Sequence, residues 1–150
     1  MEEEHGANPH SLDAASYGKF LCRLFDLWCD DYQKGDYISI RAFDNYIQML
    51  SGHPPENCAM NGICTVNPLV EADGSVYPCD FYAVDEYLLG NLHQDSLGSM
   101  LESEAAQRFL QPSYQLPEVC LVCEYGPLCR GGCRRDREPL ANGLRRVNHY

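Results

Sequence analysis

Nine cysteines, seven of them in two spaced groups, constrain this 150-residue chain more than any other feature. The first group is Cys58-x5-Cys64-x14-Cys79, and the second is Cys120-x2-Cys123-x5-Cys129-x3-Cys133. The N-terminus is acidic and has no apolar signal segment, so we expect a reducing, cytoplasmic location. In that compartment grouped cysteines indicate metal or redox chemistry rather than disulfides.

Two kinds of metal site fit this spacing. Zinc takes four thiolates in a tetrahedron, and the second group would satisfy it alone, giving a zinc-stabilised interaction module with no redox role. Iron–sulfur cubanes also take four thiolates and often share cysteines between neighbouring groups, so Cys133 would then complete the first group. Counting favours the cubane arrangement, because a zinc ion on the second group leaves the first group with three thiolates. The cysteine spacing alone is compatible with both a zinc ion and a cubane cluster.

The N-terminal part of the chain, residues 1–55, is predicted to be a helical segment without chemistry of its own. Apolar residues recur every three or four positions over residues 13–34, which predicts an amphipathic helix. A second, shorter helix is predicted over residues 40–50, ending before Gly52 and the prolines that follow. Its predicted apolar face consists of Phe43, Ile47 and Leu50.

Residues 56–150 are predicted to form a small α+β unit. Two extended runs, at 65–72 and 75–79, flank an Asp-Gly turn typical of a β-hairpin. A third short strand is predicted at 88–92 and a helix at 95–110. The apolar runs are short and broken, so we expect bound metal to contribute much of the stability.

The net charge of −11 is unevenly distributed along the chain. An acidic protein is a poor general binder of nucleic acid, because that binding depends on neutralising phosphates. No apolar run of about 18 residues exists, so we predict no membrane span. The C-terminal end is basic. We interpret its charge as solvating the chain end and offsetting nearby thiolate or carboxylate charge, with an acidic ligand or partner as the alternative. Its six arginines are Arg130, Arg134, Arg135, Arg137, Arg145 and Arg146.

Three further stretches support a family resemblance. They are SIRAFDNY at 39–46, CAMNGIC at 58–64 and EADGSVYPCDFY at 71–82. Together with the cysteine spacing they resemble the SPASM domain of radical SAM enzymes and, more closely, the anaerobic sulfatase-maturating enzymes. The resemblance extends from about residue 11 to residue 150.

The resemblance implies an enzyme that converts a cysteine or serine of a sulfatase polypeptide into Cα-formylglycine. In that family a partial TIM barrel holds a cluster on a C-x3-C-x2-C motif and cleaves S-adenosylmethionine, and the resulting radical removes a hydrogen from the substrate. This chain has no such motif. We therefore expect a C-terminal fragment whose helical segment packs on a missing barrel, and which does not cleave S-adenosylmethionine by itself.

The resemblance also implies two auxiliary [4Fe–4S] clusters and a catalytic base. The first cluster would be held by Cys58, Cys64, Cys79 and Cys133. The second would be held by Cys120, Cys123, Cys129 and a later cysteine beyond the end of this chain. Asp80 matches the carboxylate that takes a proton from the substrate thiol or hydroxyl. The alternative within the superfamily is the SPASM domain of another peptide-modifying radical enzyme.

Overall fold

Two helices precede the cysteine-rich unit in the computed structural model, which describes residues 12–138 and 147–148. Helix α1 (Ala14–Lys34) begins at Asp13, whose carboxylate accepts a hydrogen bond from the Ser16 amide at 2.9 Å. Helix α1 ends at Gly35, which has a φ of +90° that a side chain would resist. Helix α2 (Arg41–Leu50) follows. Both predicted helices are confirmed.

The predicted apolar face of helix α2 is only partly correct. Phe43 is buried, but Ile47 and Leu50 are 46% and 69% exposed. Asn45 and Met49 are buried instead. The buried face is rotated because the Asn45 side chain accepts hydrogen bonds from the backbone that leads to the first cysteine, an interaction that apolar periodicity does not reveal.

The sheet has three short antiparallel strands in the order β1-β2-β3: β1 (Leu69–Val70), β2 (Ser75–Tyr77) and β3 (Gly90–Asn91). In register, Val76 lies opposite Val70 on one side and Gly90 on the other. Gly74 in the hairpin turn has a φ of +86°, and Asp73 accepts a hydrogen bond from the backbone amide of Ser75. The predicted hairpin and third strand are confirmed, with shorter strands than the extended runs suggest.

The single helix predicted over 95–110 is wrong, because the structure has two helices there. Helix α3 (Leu97–Leu101) and helix α4 (Glu104–Leu110) are separated at Ser103. The Ser103 hydroxyl accepts a hydrogen bond from the Ala106 amide at 3.2 Å, so the serine starts a new helix. A 3₁₀ turn, Gln111–Tyr114, continues from α4.

The C-terminal third consists of very short elements around a small core. Helices α5 (Glu118–Leu121) and α6 (Gly126–Cys129) are followed by the 3₁₀ turn Arg134–Arg137. The core cluster beneath the sheet is formed by Val76, Leu89, Met100 and Ala106. Within residues 12–138 and 147–148, no helix combines the length and the apolar character needed to cross a membrane.

Candidate metal centre

All four cysteines expected to hold the first cluster lie around one cavity of about 290 Å³. They are Cys58, Cys64, Cys79 and Cys133. Charge on Cys133 acts on Cys79, and charges on Cys58 and Cys64 act on Cys133, so the four thiols are electrostatic neighbours. Residues that are up to 75 positions apart in sequence thus meet at one place.

Helix α2 positions Cys58 through a buried amide. The Asn45 side-chain oxygen accepts hydrogen bonds from the amides of Glu56 at 2.6 Å and Asn57 at 3.0 Å. Asn57 in turn caps the 3₁₀ turn Cys58–Met60, accepting from the Ala59 amide. The segment entering the cavity is therefore fixed to the N-terminal helices.

Ser113 positions Cys64. Its hydroxyl accepts a hydrogen bond from the Cys64 amide at 2.9 Å and donates one to the Leu110 carbonyl at 2.7 Å. Ser113 is fully buried, so both bonds are shielded from water. The end of helix α4 and the first cysteine group are joined at this hydroxyl.

Cys79 follows the hairpin directly and is adjacent to the predicted base. Asp80 also lines the cavity, and its carboxylate accepts hydrogen bonds from the Cys79 thiol at 3.2 Å and the Phe81 amide at 3.1 Å. The Asp80 side chain is exposed.

Cys133 completes the cavity wall from the C-terminal segment. Arg134, 5% exposed, anchors that segment by donating hydrogen bonds to the Phe109 carbonyl at 2.6 Å, the Tyr87 hydroxyl at 2.7 Å and Glu138 at 2.6 Å. Its guanidinium also lies over the Tyr82 ring at 4.8 Å. A buried arginine thus holds the fourth cysteine against the rest of the unit.

Burial opposes ionisation of these thiols. It raises the pKa of the Cys64 and Cys133 thiols and, together with the neighbouring Asp80 carboxylate, raises the pKa of Cys79 to about 11. Arg134 partly counteracts the effect of burial at Cys64. A bound cation would reverse this balance, because thiolate is the form that ligates metal.

The donor set at the cavity fits an iron–sulfur cluster. Four cysteine thiols line its wall, and four thiolates are the ligands of a [4Fe–4S] cubane.

The three remaining cysteines of the second group form a separate neighbourhood. Cys120 lies on α5, Cys129 ends α6 and Cys123 lies between these helices. Burial raises the pKa of Cys120, and the charges of Cys129 and Cys123 raise it further, so the three thiols are electrostatic neighbours. Cys123 and Cys129 are exposed. This arrangement provides three thiolates at a more open site.

Glycines let the two cysteine groups approach each other. Gly62, between Cys58 and Cys64, has a φ of +76°, and a Cβ there would collide with the Arg130 carbonyl oxygen. Arg130 directly follows Cys129 and itself has a positive φ of 50°. The backbones of the two cysteine groups are therefore in direct contact.

The two other cysteines and the two described histidines do not line the cavity. Cys22 is exposed and Cys29 is half-buried on α1. Neither lines the cavity, nor does His53 or His93. His5, His10 and His149 lie outside the described residues.

The basic C-terminal end behaves differently from our expectation of a solvated chain end. Arg134 and Arg137 are buried, and Arg135 lies over the Phe81 ring at 4.3 Å. The charges of Arg134 and Arg137 both act on Cys64, which agrees with the expected offset of thiolate charge. Arg145 and Arg146 lie outside the described residues.

Comparison with known proteins identifies the cysteine-rich unit. Residues 62–124 match the SPASM family model, which describes an iron–sulfur cluster-binding domain. The chain is 42% identical over 139 residues to a cysteine-type anaerobic sulfatase-maturating enzyme of Clostridium novyi, covering 93% of this chain and 37% of that relative. It is 34% identical over 128 residues to a serine-type enzyme of Bacteroides thetaiotaomicron, covering 85% and 30% respectively.

Solved structures show the same relationship. The chain superposes on native anSMEcpe with bound AdoMet with a TM-score of 0.93 at 39% identity, covering 99% of this chain and 40% of that one. A second structure of that protein, with bound AdoMet and the Kp18Cys peptide, gives a TM-score of 0.94. The chain spans about two fifths of the length of the relatives it matches. Its sequence, cavity and fold together assign it, as a SPASM-domain segment, to the family of the anaerobic sulfatase-maturating enzymes.

Proposed function

We propose that this chain is the auxiliary-cluster domain of a radical SAM oxidoreductase that oxidises a cysteine or serine of a sulfatase polypeptide to Cα-formylglycine. Residues 56–150 would carry the cluster ligands, and residues 1–55 would link them to the S-adenosylmethionine-binding part of the enzyme. The supporting observation is the cavity lined by four cysteines with Asp80 on the same wall.

The proposed ligands follow the two neighbourhoods of thiols. Cys58, Cys64, Cys79 and Cys133 would hold one [4Fe–4S] cluster. Cys120, Cys123 and Cys129 would supply three ligands of a second. When bound, such clusters supply one-electron acceptors, which the two-electron oxidation of an alcohol or thiol to an aldehyde requires.

Asp80 would handle the proton that leaves the substrate. Its exposed carboxylate lies at the cavity edge, where a peptide side chain from outside can reach it. An ionised carboxylate accepts a proton from a hydroxyl or thiol only within hydrogen-bond reach. The hydrogen bond that the Cys79 thiol donates would orient the Asp80 carboxylate as long as the thiol keeps its proton. A metal bound to Cys79 would remove that proton and end this hydrogen bond.

Metal content of the anaerobically reconstituted protein is the first test. We expect iron and sulfide in equal amounts, about four of each for every complete cubane. Cys79→Ala should lower the iron content by about four atoms per chain, while the matched control Cys22→Ala, outside the cavity, should lower it by none. Zinc without iron would contradict the proposal and support a zinc-stabilised interaction module.

Activity on a peptide is the second test, and it needs the intact protein. We expect mass spectrometry to detect formylglycine in a sulfatase-derived peptide after incubation with S-adenosylmethionine and a reductant. A cluster-loaded protein that cleaves S-adenosylmethionine but modifies only a different peptide would favour another SPASM enzyme instead.

A further inference from the structure

Arg137 is a buried cation whose hydrogen bonds go only to neutral groups. Its side chain is 0% exposed and is among the largest fully buried side chains of the described residues. The two terminal nitrogens donate to the backbone carbonyls of Gln115 at 3.1 Å, Gly62 at 3.2 Å and Ser113 at 3.2 Å. None of these acceptors carries a negative charge.

Arg137 also has no counter-charge among the described residues. Within residues 12–138 and 147–148, no carboxylate lies at ion-pair distance from it, and its Nε is buried without a hydrogen-bond partner. The neighbouring Arg134, by contrast, is paired with Glu138 at 2.6 Å. An unpaired buried charge is strongly unfavourable, so an anion other than the described carboxylates is expected nearby.

The location of Arg137 indicates which anion this is. It bonds to Gly62, beside Cys64, and to Gln115, in the segment that leads to Cys120. Its Nη1 also lies 3.8 Å from the place that a Cβ on Gly131 would take, between Cys129 and Cys133. One guanidinium is therefore in contact with segments of both cysteine groups.

We propose that Arg137 is the shared buried counter-cation of the two cysteine-ligated iron–sulfur sites and raises the reduction potential of both. The inference rests on the proposed function, because it needs clusters at these cysteines. A cubane with four thiolate ligands is an anion that gains one more negative charge on reduction. A fixed positive charge in a buried setting favours that reduced form. Arg137 is thus a positioning residue, remote from the substrate, that acts through the clusters.

Redox titration followed by EPR tests the inference in the intact protein. Arg137→Gln removes the charge, and we expect the midpoint potentials of both SPASM signals to become more negative. A tenfold weaker reduction equilibrium corresponds to a shift of 59 mV for one electron. Arg137→Lys keeps the charge and should stay close to the wild-type potentials.

A matched control separates the buried charge at Arg137 from positive charge elsewhere. Arg23→Gln removes one positive charge from an exposed position on α1, outside the cavity. We expect it to shift the potentials less than R137Q does. Equal shifts in R137Q and R23Q, or none in R137Q with iron bound, would overturn the inference while leaving the proposed function intact.

Thermal melting distinguishes the inferred role from a merely structural one. A residue that only ties loops together would lower the melting temperature equally with and without clusters. A counter-cation adds stability when the anion is bound, so R137Q should lower the melting temperature of the loaded protein more than that of the apo protein, which loses only hydrogen bonds. Equal losses in both states would overturn the inference. A wild-type protein without iron would instead defeat the proposed function.

If R137Q loads no iron, Arg137→Lys decides the question. Normal loading of R137K, with apo forms of the two variants that melt at the same temperature, would show that the positive charge itself is required. Failure of R137K to load, despite its charge, would overturn the inference.

Discussion

Small side chains position the candidate site as much as the cysteines do. Asn45 fixes the backbone before Cys58, Ser113 binds the Cys64 amide, and Gly62 lets the two cysteine groups touch. The cysteines themselves and Asp80 could be found from their spacing and from the family resemblance. Asn45 and Ser113 could not, because a single amide or hydroxyl carries no periodic signal and its partners are distant in sequence.

Gly62→Ala tests the contact between the cysteine groups. We expect it to lower the free energy of unfolding by about 1–3 kcal/mol, because an alanine resists the positive φ and its Cβ meets the Arg130 carbonyl. The matched control is Gly18→Ala inside α1, where nothing lies within 4 Å of the added Cβ. That change should stabilise the protein by about 0.5–1 kcal/mol. Chemical denaturation measures both, and equal effects would contradict the contact.

Asp80→Asn tests the proposed base. The amide keeps the shape of the side chain but cannot take a proton, so we expect the rate of peptide oxidation to fall roughly 10²–10⁴-fold. Iron content should stay at the wild-type level, because Asp80 is not a proposed ligand. Glu71→Gln, on an exposed turn outside the cavity, is the control and should leave the rate unchanged. A rate in D80N close to that of the wild type would refute the role.

At the scale of elements, the sequence predicted helices and strands correctly where the apolar spacing agrees with the residues that start or end an element. Helix α1 has an apolar period, a capping aspartate and a final glycine, and it lies where expected. The hairpin has an Asp-Gly turn and also lies where expected. The helix over 95–110 failed because its apolar spacing continues across Ser103, while the hydroxyl of that serine starts a new helix.

Ser103→Ala tests this division between α3 and α4. Removing the capping hydroxyl leaves the Ala106 amide without its partner, and Ala106 is fully buried. We expect a loss of about 0.5–2 kcal/mol in the free energy of unfolding. Ser103→Asp keeps an acceptor at the same position and should lose much less. If both variants unfold alike, the serine does not act as a cap.

For the whole molecule, apolar burial is limited and polar connections are long-range. Helix α1 has no buried residue, and the core cluster beneath the sheet holds only four. The cysteine-rich unit is connected largely by Arg134, Arg137 and Ser113, each of which reaches segments more than 20 residues away. The short, broken apolar runs predicted a thin core. They could not predict that Arg134 and Arg137, from the basic end of the chain, are buried.

Removal of the clusters should therefore loosen one part of the molecule selectively. We expect hydrogen exchange to accelerate in the cysteine loops from Cys58 to Arg137 when iron is removed by a chelator, because bound clusters would contribute folding free energy there. Helix α1 lies outside these loops and should keep its exchange rate. Mass spectrometry of the exchanged protein reports both regions. Unchanged exchange in the loops would mean that they fold without metal.

The closure of the cavity by Cys133 has a consequence for biosynthesis. A ribosome releases Cys58, Cys64 and Cys79 long before Cys133 and its anchor Arg134. Until that last segment emerges, the cavity has no fourth wall and the buried hydrogen bonds to the Phe109 carbonyl and Tyr87 hydroxyl cannot form. A nascent chain therefore exposes these three thiols until Cys133 emerges. Assembly of the proposed cluster must wait for that residue, and any oxidant acting earlier meets the three thiols without protection.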